Sequence, residues 1–138
     1  MPTDKDYDPE ELKKAEEFKT KGNEQFKESK YEAALDSYSE AIFCNVPPKN
    51  KAIYYSNRAL VSIKSENYAL ALLDAEDAIK CDEMYVKAYY RRGSAHLALN
   101  QIEKALKYFK TVCKMQPGNK YAREKYDETM KEHRIRQL

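Results

Sequence analysis

Internal repetition constrains this chain more than any other feature. Small residues recur in three columns: Gly22, Ala59 and Gly93; Ala34, Ala71 and Ala105; Ala41, Ala78 and Val112. In each column the second and third members are 34 residues apart, and the first and second are 37 apart. Three independent columns therefore agree on one period and on one three-residue insertion. A chain with such a period stacks copies of one supersecondary unit, because a single unit cannot bury its apolar face alone.

The residue types say which unit. Two antiparallel helices approach closely only where side chains are small, so each copy keeps Gly or Ala at the crossing. Large residues fill the space between crossings: Phe26, Tyr31 and Tyr38 in the first copy, Tyr55 and Tyr68 in the second, Tyr89 and Phe109 in the third. These aromatics read as core. Three Gly and five Pro in 138 residues leave little material for the tight turns of an all-β fold, so the expected class is all-α.

Helix ends are legible too. Asp8-Pro9-Glu10-Glu11 supplies an N-cap, a proline at the first helical position and an acid three residues after the cap. The first helix is predicted to run to about Ser29, and its partner from Tyr31 to Cys44, stopped by Pro47-Pro48. Further pairs are predicted over Lys51–Lys64 with Tyr68–Cys81, and over Met84–Leu99 with Ile102–Met115, ended by Pro117-Gly118. A last charged helix starts near Lys120; its Ala122, Tyr126 and Met130 share a face that could cover the third repeat. The division expected is a flexible N-terminus over 1–8, a repeat region over 9–117 (copies at about 15–48, 52–85 and 86–117) and a capping helix or linker over 118–138.

Bulk properties narrow the function classes. With 25 basic and 23 acidic residues the net charge is +2, which gives no overall pull toward nucleic acid or membrane. Any electrostatic function must come from local sorting of charge. Cys44, Cys81 and Cys113 are odd in number and widely spaced, and read as reduced packing cysteines of an intracellular protein. The N-terminus has no apolar stretch of the signal-peptide kind, so a cytoplasmic, possibly also nuclear, location is expected.

Local sorting is found on the first helix of each pair. Lys19 and Asn23 are four apart and share a face; Lys87 and Arg91 repeat that spacing in the third copy. Asn57 stands 34 residues before Arg91, at the same repeat position. Lys64, seven residues beyond Asn57, lies two turns along as a secondary groove residue. Any one of these reads as ordinary solvated charge; together they offer cations and amides toward one surface.

The three columns and their phase resemble the tetratricopeptide (TPR) repeat, from about Lys14 to Pro117 plus the capping helix. The resemblance implies a right-handed superhelix of three helix-turn-helix repeats, whose first helices line a concave groove. The segments Phe18–Asn23, Ser56-Asn57-Arg58 and Lys87–Arg91 resemble, in order, the carboxylate-clamp motifs of chaperone-binding TPR domains. That implies peptide-carboxylate binding by Lys19, Asn23, Asn57, Lys87 and Arg91. The partner implied is the C-terminal Glu-Glu-Val-Asp tail of the ninety- or seventy-kilodalton heat-shock chaperones. The residue types suit the task, because ammonium and guanidinium groups donate charge-assisted hydrogen bonds and amides donate without adding repulsion.

Three stretches, Ala15–Lys19, Ala52–Arg58 and Val86–Gly93, resemble the N-terminal TPR domain of the serine/threonine protein phosphatase 5 family. This implies an alternative role as the regulatory or autoinhibitory domain of a phosphatase whose catalytic domain lies outside this chain. The chain carries none of the metal-binding GDxHG, GDxxDRG or GNHE motifs, and only His96 and His133 as histidines. No Ser-His-Asp set, P-loop or dinucleotide-binding glycine pattern occurs. The expectation is a monomeric binding module with no catalytic residue, metal or cofactor, and with neither nucleic acid nor membrane as partner.

Overall fold

The computed structural model describes residues 6–138, so the expected flexible segment at 1–8 lies mostly outside the described residues. Seven helices follow one another: α1 (Pro9–Lys27), α2 (Tyr31–Phe43), α3 (Pro48–Lys64), α4 (Tyr68–Cys81), α5 (Val86–Ala98), α6 (Ile102–Met115) and α7 (Lys120–Arg136). Each packs on its neighbours in the chain, and α3 also packs on α5. First helices of successive repeats thus lie side by side.

The caps follow from side-chain chemistry. Asp8 accepts from the Glu10 amide at 2.9 Å, Asn67 from Leu70 at 3.4 Å and Asn119 from Ala122 at 3.0 Å, each satisfying an amide that a helix start leaves without a partner. The start of α3 differs from expectation. Pro48 does not merely stop the preceding helix; it is the first residue of the next, where its missing N–H costs nothing and its fixed φ fits. The three-residue insertion therefore appears as an extra turn on α3 and not as a loop.

Within each repeat the two helices join through a residue in the left-handed region: Ser29 (φ 60°), Glu66 (φ 63°) and Asn100 (φ 62°). These positions keep the spacing of the repeat. The amide after each returns to a carbonyl of the preceding helix, Lys30 to Gln25 at 2.8 Å, Asn67 to Ser62 at 2.7 Å and Gln101 to His96 at 2.9 Å. This is a Schellman ending, here without glycine.

The crossings are as tight as the columns require. A methyl group at Gly22 would lie 2.7 Å from the Tyr38 ring, and one at Gly93 would lie 2.6 Å from Phe109. Among the expected core aromatics Tyr38 and Phe109 are buried, whereas Phe26, Tyr31, Tyr55, Tyr68 and Tyr89 are only partly so. The fully buried tyrosine of the second repeat is Tyr54, not Tyr55. Tyr55 instead turns toward the Arg58 guanidinium, 5.7 Å from its ring centre. On α7, Ala122 is buried and Tyr126 and Met130 half-buried, joined by buried Thr129, whose hydroxyl donates to the Lys125 carbonyl at 2.8 Å.

Candidate functional site

Asn23 is the hub of the first two repeats. Its Oδ1 accepts from the Tyr38 hydroxyl at 2.5 Å and from Asn57 Nδ2 at 3.5 Å, so α1, α2 and α3 meet at one amide oxygen. Burial pushes the Tyr38 phenol up to about 12, which keeps it a donor at neutral pH. With its oxygen engaged, Asn23 retains the N–H donors of its amide for a ligand, and Asn57 retains one. Asn23 and Asn57, the latter at the repeat position of Arg91, are thereby brought together as donors.

Lys19, one turn before Asn23, is compensated within the protein. Its Nζ lies 3.2 Å from Glu16 Oε2, and Glu16 is itself held by the Tyr54 hydroxyl, which donates at 2.9 Å. Buried Tyr54 thus fixes the carboxylate that fixes the ammonium.

Lys87 and Arg91 on α5 have no such compensation. Arg91 is half-buried, its buried Nε has no hydrogen-bond partner, and no acidic side chain among the described residues pairs with it. Burial lowers its pKa, and the groups around it are the phenols of Tyr85, Tyr90 and Tyr121. A guanidinium does not give up its proton, so the site keeps a positive charge that costs desolvation until an anion arrives. Exposed Lys87 lines a cavity of about 240 Å³ with Arg91, Val112, Asn119 and Tyr121. Arg91 also borders a second cavity of about 330 Å³, with Leu60, Lys64, Leu97, Tyr121 and Lys125. Lys64 therefore shares a cavity with Arg91.

Several residues at or near the groove escaped sequence reasoning. Tyr121 and Lys125 come from α7, the expected capping helix or linker. The sequence carries no sufficient signal for them: helical phase sets Tyr121 a step round from Ala122, and α7 has no equivalent copy to show what lies on that side. Arg58, beside Asn57 in the chain, is taken up elsewhere. It forms a fork to buried Asp74 at 2.8 and 2.7 Å and reaches Ser39 at 3.0 Å. His96 is buried, stacked on Tyr108 with ring centres 5.5 Å apart, with Nδ1 2.8 Å from Gln101 Oε1. Among the described residues no His, Cys, Asp or Glu group is arranged to hold a metal ion, and no helix is long and apolar enough to cross a membrane.

Stacked helix pairs with close small-residue crossings, each packed on its neighbours in the chain, define a helical-repeat domain. The tetratricopeptide repeat family model matches residues 86–119. The first TPR of Spaghetti (RPAP3), solved bound to HSP90 peptide SRMEEVD, is 32% identical with a TM-score of 0.80, covering 87% of this chain and 93% of that one. The second TPR domain of human RPAP3, solved in complex with HSP70 peptide SGPTIEEVD, is 32% identical with a TM-score of 0.73, covering 87% and 95%. The chain belongs to the tetratricopeptide-repeat family. Serine/threonine-protein phosphatase 5 of Rattus norvegicus is 47% identical over 120 residues, which is 87% of this chain and 23% of that protein. The chain thus spans about a quarter of the length of this relative.

Proposed function

We propose that this domain binds the C-terminal tail of a heat-shock chaperone, ending in Glu-Glu-Val-Asp, through the two carboxylates of the last residue. Lys19, Asn23, Asn57, Lys87 and Arg91 are the residues assigned to that grip. The observation that carries the reading is Arg91, a half-buried cation with an unpartnered Nε and no internal counter-charge. A terminal Asp supplies the missing anion in the geometry a guanidinium binds best. The related domains solved with such peptides support the choice of ligand. Ordering of the tail and desolvation offset much of the contact energy, leaving about −7 to −8 kcal/mol, a low-micromolar affinity. On this reading the domain is a monomeric co-chaperone module that acts by binding and not by catalysis, in the cytoplasm or nucleus.

The test is a fluorescence titration of a peptide ending in Glu-Glu-Val-Asp against its C-terminally amidated form. The free acid should bind at least tenfold more tightly, and equal affinities would overturn the assignment. A second reading, regulation of a phosphatase catalytic domain in cis, is favoured by the 47% identity to the phosphatase over 120 residues. Sequencing the transcript past codon 138 checks it; a frame running into phosphatase metal-binding motifs is expected, and an immediate stop codon contradicts it.

A further inference from the structure

The helix expected only to cap the array also builds a wall of the groove. Tyr121 is 68% exposed, yet its ring is set by Tyr90, with centres 5.6 Å apart, and Tyr90 leans in turn on buried Phe109 at 5.5 Å. One side of the Tyr121 ring is thus fixed, and much of the rest is open. One turn further along α7, Lys125 lines with Tyr121 the cavity of about 330 Å³ that Lys64 of α3 also borders, with Leu60 and Leu97 supplying apolar surface. That cavity is bordered by Lys64, Arg91 and Lys125, and no acidic residue lines it. Neither Lys64 nor Lys125 forms an ion pair with a described residue.

We infer that this cavity is a second anion subsite, in which Lys125 and Lys64 bind the carboxylate of a tail glutamate whose methylenes lie against Tyr121 and Leu97. The inference rests on the tail-binding reading above and adds a specificity determinant to it. The chemistry follows the lining. Two ammonium groups bordering one cavity attract a carboxylate, and the aromatic and leucine surface that lines it suits a short aliphatic stem. A side chain ending in an amide or methyl would fill the same space without meeting either charge. Selectivity for acidic residues ahead of the terminal one would then reside in α7, outside the repeats themselves.

The experiment pairs one protein change with one ligand change. Wild type and Lys125→Met, which keeps the stem and removes the charge, are titrated with SRMEEVD and with versions in which each Glu is replaced by Gln. A partly exposed ion pair predicts that Lys125→Met weakens SRMEEVD about 3- to 5-fold. It should leave the affinity for one of the Gln-substituted peptides unchanged. Equal weakening of all peptides, or no weakening of any, overturns the subsite. Amidated SRMEEVD separates the two claims. If amidation abolishes binding while Lys125→Met does nothing, the terminal clamp stands and the α7 subsite falls. If amidation has no effect, the clamp itself is wrong.

Discussion

A guanidinium held half-buried without a carboxylate destabilises the empty domain, because part of its hydration is removed and its buried Nε–H has no acceptor. Arg91→Met should therefore raise the midpoint of thermal unfolding while weakening tail binding by roughly 1.5–3 kcal/mol, the worth of a charged hydrogen bond. Differential scanning fluorimetry and peptide titration of the same variant check both halves. His96 sets a pH limit. Burial, opposed by the Gln101 hydrogen bond, lowers its pKa below the ordinary 6.5, and its buried Nε2 has no partner. The unfolded chain then takes up a proton at higher pH than the folded one, so the stability is fully present above pH 6.5 and is lost as pH falls. Urea denaturation at pH 7.5 and 5.5 should show this loss in wild type and less of it in His96→Asn. Glu66, held at φ 63°, costs about 1 kcal/mol that glycine would not, so Glu66→Gly should stabilise the domain by up to that amount in the same assay.

At the scale of the element, the small column on each first helix is matched by size on the second. Gly22 faces Tyr38 and Gly93 faces Phe109, whereas the second repeat has Ala59 in the first column and Ala75 at the position equivalent to the two rings. The residue facing the crossing thus changes with the first column: a ring sits there where the first helix carries glycine, and a methyl where it carries alanine. Adding one methyl at Gly93 drives it into a fully buried ring, and Gly93→Ala should cost about 1–3 kcal/mol in chemical denaturation. Gly93→Ala combined with Phe109→Leu should recover part of that loss. A polar column beside it varies in the same manner. Asp74 is clamped by Arg58, Ser37 donates to Gln25 at 2.6 Å, and Tyr108 lies 4.4 Å beneath Arg92. Asp74 is buried, and burial raises its pKa despite the guanidinium beside it. Asp74→Ala would strand Arg58 and should destabilise the fold by about 3–5 kcal/mol.

Over the whole molecule, the charge is sorted by position and not by sum. A net +2 leaves no strong field at a distance, while Lys64, Lys87, Arg91 and Lys125 border two cavities that share Arg91 and Tyr121 and have no acidic lining. Tail affinity should fall as ionic strength rises from about 0.05 M to about 0.5 M, because exposed Lys87 and Lys64 are screened; half-buried Arg91 should keep a residual affinity at high salt. The amino-acid sequence by itself determined the all-helical class, the phase of the three copies and the close crossings. Each of these is a periodic property, written wherever a column of small residues recurs. It also placed Lys19, Asn23, Asn57, Lys87 and Arg91 on first helices, with Asn57 and Arg91 at one repeat position. Only the tertiary structure decided which charges are compensated across helices: Asp74 of α4 takes Arg58 of α3, whereas Arg91 is left without an acidic partner. It alone brought Tyr121 and Lys125 to the groove, since α7 lies outside the repeat and has no copy to phase it. Pairing depends on distances between helices far apart in the chain, and periodicity along one helix carries no information about them.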